Sequence, residues 1–185
     1  MRLFVALYPP EDVRSALRQW LSEALARDRA EVRLGDIERW HLTLAFLGEV
    51  VAEEVPRVEL AVSRAVLDRP AMRLRLSGGG SFGRGRSSAV WAGVDGDLEA
   101  LRDLHADLRD RLAEARFTTD ARPLTPHLTV TYKGGREVLA ALRDYAGPVW
   151  SATEITLVRS RFPQESGYDT LRVWSLHQDG DTDRR

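Results

Sequence analysis

Two short segments carry the residues best suited to chemistry. His41-Leu42-Thr43-Leu44 and His127-Leu128-Thr129-Val130 repeat one pattern, a histidine and a threonine interleaved with apolar residues. In a β-strand successive side chains point to opposite faces, so His41 and Thr43 share one face while Leu42 and Leu44 share the other. The leucines would anchor the strand in a core, and the imidazole and hydroxyl would stand together on a cleft wall. His127 and Thr129 repeat the arrangement over Leu128 and Val130. Two such strands face to face would gather two imidazoles and two hydroxyls around one pocket. That set suits phosphodiester cleavage without a metal. A neutral imidazole takes a proton from water, and an imidazolium gives one to the departing oxygen. The hydroxyls donate to the non-bridging phosphate oxygens, where charge accumulates in the transition state. An ordinary imidazole pKa of about 6.5 lets both forms coexist near neutrality.

The pattern is too rare to be accidental. With 4 His and 10 Thr in 185 residues, chance His-x-Thr matches number roughly 4 × 10/185, about 0.2. Requiring apolar residues at the other two positions lowers this to about 0.04, and two copies are rarer still. A lone strand histidine is more often structural than catalytic, and threonine is at home in strands; duplication is what favours catalysis. A metal site is the other common use of histidine. Neither copy sits in a His-x-His, His-Glu-x-x-His or dense Asp/His cluster, so no metal and no cofactor is expected.

The rest of the chain has to position these residues. At 185 residues it fits one domain or two tightly joined lobes, with 43% hydrophobic and 30% charged residues. It has no cysteine, which excludes disulfides, zinc–thiolate sites and a thiol nucleophile, and a cytoplasmic location is expected. No apolar run approaches the roughly 20 residues of a membrane-spanning helix, so no membrane association is expected. With 27 basic and 28 acidic residues the net charge is −1, so any nucleic-acid contact must come from a local patch.

Periodicity predicts strands at Leu3–Leu7, Arg39–Leu47, Met72–Ser77, Ala89–Val94, His127–Tyr132, Ala152–Arg159 and Leu171–Leu176. It predicts helices at Glu11–Arg27, Glu53–Leu67, Asp97–Arg116 and Glu137–Tyr145. Ser77–Ser88, rich in Gly, Ser and Arg, reads as a flexible loop. This order indicates α+β with hairpins and antiparallel pairing. The two motifs lie 127 − 41 = 86 residues apart, a weak internal repeat that implies two related lobes meeting at a cleft.

These segments resemble the paired HxTx motifs of the 2H phosphoesterase superfamily. Their context narrows the likeness. Arg2-Leu3-Phe4-Val5-Ala6-Leu7, Trp40 to Gly48, Val90-Trp91-Ala92-Gly93-Val94, Arg122 to His127 and Tyr168-Asp169-Thr170-Leu171 resemble the RNA 2′,3′-cyclic phosphodiesterases, formerly called 2′-5′ RNA ligases. The resemblance spans essentially all of residues 1–185. It implies one bilobal α+β domain, with two antiparallel-rich sheets and flanking helices related by pseudo-two-fold symmetry about a basic central cleft. It implies metal-free hydrolysis of RNA-terminal 2′,3′-cyclic phosphate to a 2′-phosphate, with His41 as proton donor and His127 as proton acceptor. The residues alone leave those two roles interchangeable. Family members commonly carry Arg where this chain has Tyr132, and Lys133 has the strand parity to supply the missing charge.

The expected partners are RNA ends or nucleotides bearing a 2′,3′-cyclic phosphate, and the expected state is a monomer. Thr43, Thr129 and Lys133 are candidate phosphate ligands. Arg84 and Arg86 in the Gly-rich loop are candidate RNA contacts, and Phe46, Trp40 and Tyr168 are candidate stacking partners for a base. His105 and His177 are given no role. Two other readings remain: the reverse reaction, joining ends through a 2′-5′ linkage, and a non-catalytic RNA-end or nucleotide-binding module.

Overall fold

A computed structural model describes residues 1–83, 88–120, 122–132, 135–162 and 167–177. Eight antiparallel strands form one sheet: β1 (Arg2–Leu7), β2 (Leu42–Glu49), β3 (Met72–Phe82), β4 (Ala89–Gly96), β5 (His127–Thr131), β6 (Ala146–Ala152), β7 (Glu154–Ser160) and β8 (Tyr168–Ser175). Their spatial order is β6-β3-β4-β5-β2-β1-β7-β8. Among the described residues four α-helices complete the fold: α1 (Glu11–Arg27), α2 (Val55–Val66), α3 (Leu98–Glu114) and α4 (Arg136–Leu142). The two expected sheets are thus two four-stranded halves of a single one, joined where β2 meets β5 at the pair Leu42↔Leu128. The units β1-α1-β2 and β4-α3-β5 occupy equivalent places in the two halves, which is the pseudo-two-fold relation.

The helices cover one face of this sheet. Val13, Leu17, Leu21 and Leu25 recur at every fourth position of α1, and Leu101, Leu104, Leu108 and Leu112 form the matching stripe of α3. These join Leu3, Val5 and Leu7 of β1, Leu42 and Leu44 of β2, and Leu128 and Val130 of β5 in one continuous core. The helices also cross between halves. The α1 helix contacts α4 and β6, and α3 contacts α2 and β2. The opposite face of β1 and β7 carries a smaller cluster of Phe4, Ala6 and Val158, with Tyr8 and Tyr168 against it. Each strand therefore separates a helix-covered face from a cleft face.

Besides shifts of a few residues at element ends, such as Arg39 lying in a 3-10 turn before β2, two larger differences from the sequence reading stand out. The β3 strand continues through Ser77–Phe82, which composition assigns to a loop. Gly79 and Gly80 permit this: a Cβ on Gly80 would lie 2.3 Å from the Trp91 ring, and one on Gly79 would lie 2.6 Å from the Trp91 carbonyl. Sequence periodicity does not reveal β6, because Gly147 and Pro148 interrupt it. Proline lacks a ladder donor and is tolerated at sheet edges, and β6 is an edge strand with its register shift at these residues. Among the described residues, no helix is long and apolar enough to cross a membrane.

Candidate active site

The Leu42↔Leu128 pair sets the geometry of the cleft. Counting one residue either way along antiparallel strands places His41 opposite Thr129 and Thr43 opposite His127. The four polar residues form a square with each imidazole beside the other strand's hydroxyl. All four are half-buried, whereas Leu42, Leu44, Leu128 and Val130 are buried beneath them. Small residues flank the square: Ala6 pairs with Thr43, and Gly93 pairs with His127. His41, Thr43, His127 and Thr129 together line one cavity of 260 Å³.

Both imidazoles are held in the same way. His41 Nδ1 lies 2.6 Å from the carbonyl of Arg39, and His127 Nδ1 lies 2.7 Å from that of Thr125. A carbonyl only accepts, so Nδ1 carries the proton in each ring and the lone pair of the neutral form resides on Nε2. The His41 ring also stacks on Phe4 with centroids 4.9 Å apart, and meets Tyr168 edge-on at 5.4 Å. Tyr8 closes the other side at 5.5 Å. His127 meets the edge of Phe82 at 4.9 Å and Trp91 at 5.8 Å. Phe4 on β1 and Trp91 on β4 occupy equivalent strands, so each histidine has an aromatic neighbour in the adjacent strand of its own half.

Burial governs the electrostatics around His41. Burial pushes the His41 pKa below the ordinary imidazole value; its hydrogen bond to Arg39 opposes this, and repulsion from His127 adds to it. Burial likewise raises Tyr8 to about 12, with Tyr168 adding to the shift and Arg14 opposing it. The Tyr168 phenol is also raised, mainly by burial. Both phenols therefore stay protonated beside His41.

The cleft has two arms, and Thr43 and His127 line both. The smaller arm is the 260 Å³ cavity, also lined by Tyr168, Arg39 and Tyr132. Tyr132 is 74% exposed, at the cleft and not in a core. The larger arm, of 800 Å³, is lined by Phe46, Phe82, Leu124, His105, Arg109 and Arg122, among others. Of the proposed stacking residues, Phe46 and Tyr168 thus reach the cleft, whereas Trp40 is a core residue at 2% exposure. Arg84, Arg86 and Lys133 lie outside the described residues. His105, given no role by sequence, is half-buried and faces the larger arm with His127. His177 is exposed, with its Nε2 3.5 Å from the Asp68 carboxylate. Among the described residues, no group of three or more His, Asp or Glu side chains is placed to hold a metal ion.

Strand-borne His-x-Thr pairs placed across a split antiparallel sheet define a 2H phosphoesterase. The chain belongs to the 2′-5′ RNA ligase superfamily, whose sequence profile matches residues 9–162. It is 31% identical over 180 residues to the RNA 2′,3′-cyclic phosphodiesterase of Escherichia coli strain K12, covering 96% of this chain and 97% of that one. The crystal structure of E. coli LigT in apo form superposes with a TM-score of 0.77 at 29% identity, covering 96% of this chain and 98% of that one. LigT complexed with 3′-AMP superposes at 0.73 and 28% identity, with the same coverage.

Proposed function

We propose that this protein hydrolyses RNA-terminal 2′,3′-cyclic phosphates to 2′-phosphates, as a single bilobal catalytic domain spanning residues 1–185. The observation that carries the reading is the matched pair of Nδ1–carbonyl hydrogen bonds, which leave two Nε2 atoms available in one threonine-lined cavity. The relatives' activity and the 3′-AMP complex of LigT support it.

In the proposed reaction the cyclic phosphate sits over the square, with Thr43 and Thr129 hydroxyls donating to its non-bridging oxygens. His127 Nε2 takes a proton from the attacking water. The imidazolium of His41 gives its Nε2 proton to the ribose 3′ oxygen as the P–O3′ bond breaks, leaving a 3′-hydroxyl and a 2′-phosphate. In the empty cleft, burial favours neutral His41, which alone would suit a base. The bound phosphate reverses this balance. An anion beside a buried imidazole acts through a low dielectric and raises its pKa more than it raises that of a better-solvated one. Substrate thus charges the acid it needs.

Removing either imidazole tests the reading on a cyclic-phosphate-ended oligonucleotide. His41→Ala and His127→Ala are each expected to cut kcat by at least about 10²–10⁴-fold with unchanged far-UV circular dichroism. EDTA is expected to leave turnover unaltered. Full activity in the double variant would overturn the proposal. The reverse reaction uses the same groups, but water at bulk concentration outcompetes a 5′-hydroxyl end. Supplying two RNA fragments and mapping the product linkage separates the two outcomes. Tight binding without turnover would instead support a binding module.

A further inference from the structure

Arg14 on α1 is a nearly buried cation that the reaction above does not use. Its side chain is 12% exposed, and a charged side chain is buried to this degree only where polar partners hold it. Its Nη1 donates to the Ile37 carbonyl at 2.7 Å and to the Glu38 carboxylate at 3.4 Å. Glu38 is 69% exposed, so the shorter bond to the backbone is the main hold. Both partners belong to the 3-10 turn Ile37–Arg39, which delivers the chain to His41.

That turn ends on the carbonyl that holds the His41 ring. The Arg39 carbonyl accepts from His41 Nδ1 at 2.6 Å, so its direction sets the plane of the imidazole. The turn is closed by Asp36, which accepts from the Glu38 amide at 3.1 Å, and by the Trp40 amide, which donates to the Ile37 carbonyl at 3.2 Å. The Ile37 carbonyl thus accepts twice, once from the turn itself and once from Arg14. Arg14 also acts on the side of the ring. Its charge opposes the upward shift of the Tyr8 phenol, whose ring borders His41 at 5.5 Å.

The residues leading into the turn are gripped from two directions. Arg18, one helical turn beyond Arg14, donates to the Gly35 carbonyl at 2.9 Å. From the other half of the sheet, the Gly35 amide donates to the Val130 carbonyl at 2.7 Å, and Thr131 Oγ1 donates to the Arg33 carbonyl at 3.0 Å. Residues 33–37 are therefore clasped between α1 and β5, the strand that carries His127. The acceptor for His127 is set differently. Thr125 directly precedes Pro126, and a residue before proline is confined to extended conformations.

We propose that Arg14 is a positioning residue for His41: it pins the Ile37–Arg39 turn to α1, so that the Arg39 carbonyl keeps the imidazole in one tautomer and one orientation. Arg14 acts through the turn and does not touch substrate. The kinetic consequence rests on the hydrolytic reading, whereas the tautomeric one does not.

Nitrogen NMR of the histidine rings, at a pH where both are neutral, distinguishes the protonated from the unprotonated nitrogen of each. In the wild type, His41 and His127 are both expected to carry the proton on Nδ1. Arg14→Met removes the donor; it is expected to leave His127 unchanged and to turn His41 into a mixture of tautomers. On a cyclic-phosphate-ended oligonucleotide, kcat is expected to fall by about tenfold to a hundredfold with little change in KM, because a misplaced acid costs turnover more than binding. Arg14→Lys keeps the charge without the planar fork. It is expected to show the same change at His41 to a smaller extent, and it carries the test if Arg14→Met does not fold. A wild-type protein inactive on cyclic phosphates would overturn the hydrolytic reading and leave the spectra to decide this one. The proposal fails if His41 keeps a single tautomer in both variants, or if kcat stays at the wild-type value. It also fails if His41 and His127 change together, as they would if Arg14 served only to hold the fold.

Discussion

A free imidazole interchanges its two tautomers; at His41 and His127 the carbonyls of Arg39 and Thr125 remove that choice. Each acceptor lies two residues before its histidine, so orientation and tautomer are encoded within a few residues of chain. The His-x-Thr pattern is legible in sequence for the same reason, because strand alternation alone places His and Thr on one face. The neighbours of each ring are not legible. Phe4, Tyr8, Phe82 and Trp91 arrive from other strands, and no spacing within the motif names them. The acid–base assignment also depends on this tertiary burial, and it has a measurable signature. With its pKa below the ordinary value, His41 loses its proton at lower pH than a solvated imidazole. In its proposed role as the acid, it is expected to make kcat/KM, which reports the free enzyme, decline early on the alkaline side. Substrate phosphate is expected to raise that pKa, and so to place the alkaline limb of kcat at higher pH than that of kcat/KM. Paired pH profiles measure the displacement, and coincident limbs would contradict the assignment.

At the scale of elements, the strands facing the cleft are shaped as much by missing side chains as by present ones. Gly80 has no Cβ because Trp91 lies against it, and Trp91 in turn borders His127. Gly80→Val is expected to push the indole toward His127, lowering kcat by more than tenfold and destabilising the fold by about 1–3 kcal/mol, as overpacking does. Thermal melts and steady-state kinetics together check it; a variant with wild-type kcat would show that Trp91 does not support the histidine. These glycines also explain where sequence reading stopped. A Gly-rich run signals a loop unless something fills the space above it, and the Trp91 ring that fills it comes from the neighbouring strand. The edge strand β6 was hidden for a related reason. Its Pro148 breaks the local pattern, and only its position at the sheet margin makes that harmless. By contrast, α1 was legible at both ends, because Pro10 precedes it and the Val13, Leu17, Leu21, Leu25 stripe is unbroken.

On the scale of the whole molecule, the halves meet at one strand pair yet share one core. The crossing of α1 and α3 couples them, since each helix packs against elements of the other half. The protein is therefore expected to unfold as one cooperative unit, with near-UV and far-UV circular dichroism giving coincident denaturant transitions. Leu108→Ala, at a fully buried position on α3, is expected to cost about 2–5 kcal/mol in that transition. Two separated transitions would show that the halves are independent. The α+β class and two-lobed plan were legible from element order and from the repeat 86 residues apart. The merging of the lobes into one sheet was not, because the repeated motif brings the two strands to one cleft without fixing that Leu42 and Leu128 pair directly within a single sheet.

The strand order also bears on synthesis. The half that carries His127 draws β3, β4, β5 and β6 from one unbroken stretch, residues 72–152, whereas the half that carries His41 sets β7 and β8 beside β1. A ribosome delivers the chain from the N-terminus. His41 therefore emerges early but waits for Tyr168, the edge of its aromatic surround, until nearly the last strand has been made. The nascent chain carries both histidines well before it has a finished cleft, so the surround of His41 is complete only once β8 has been made.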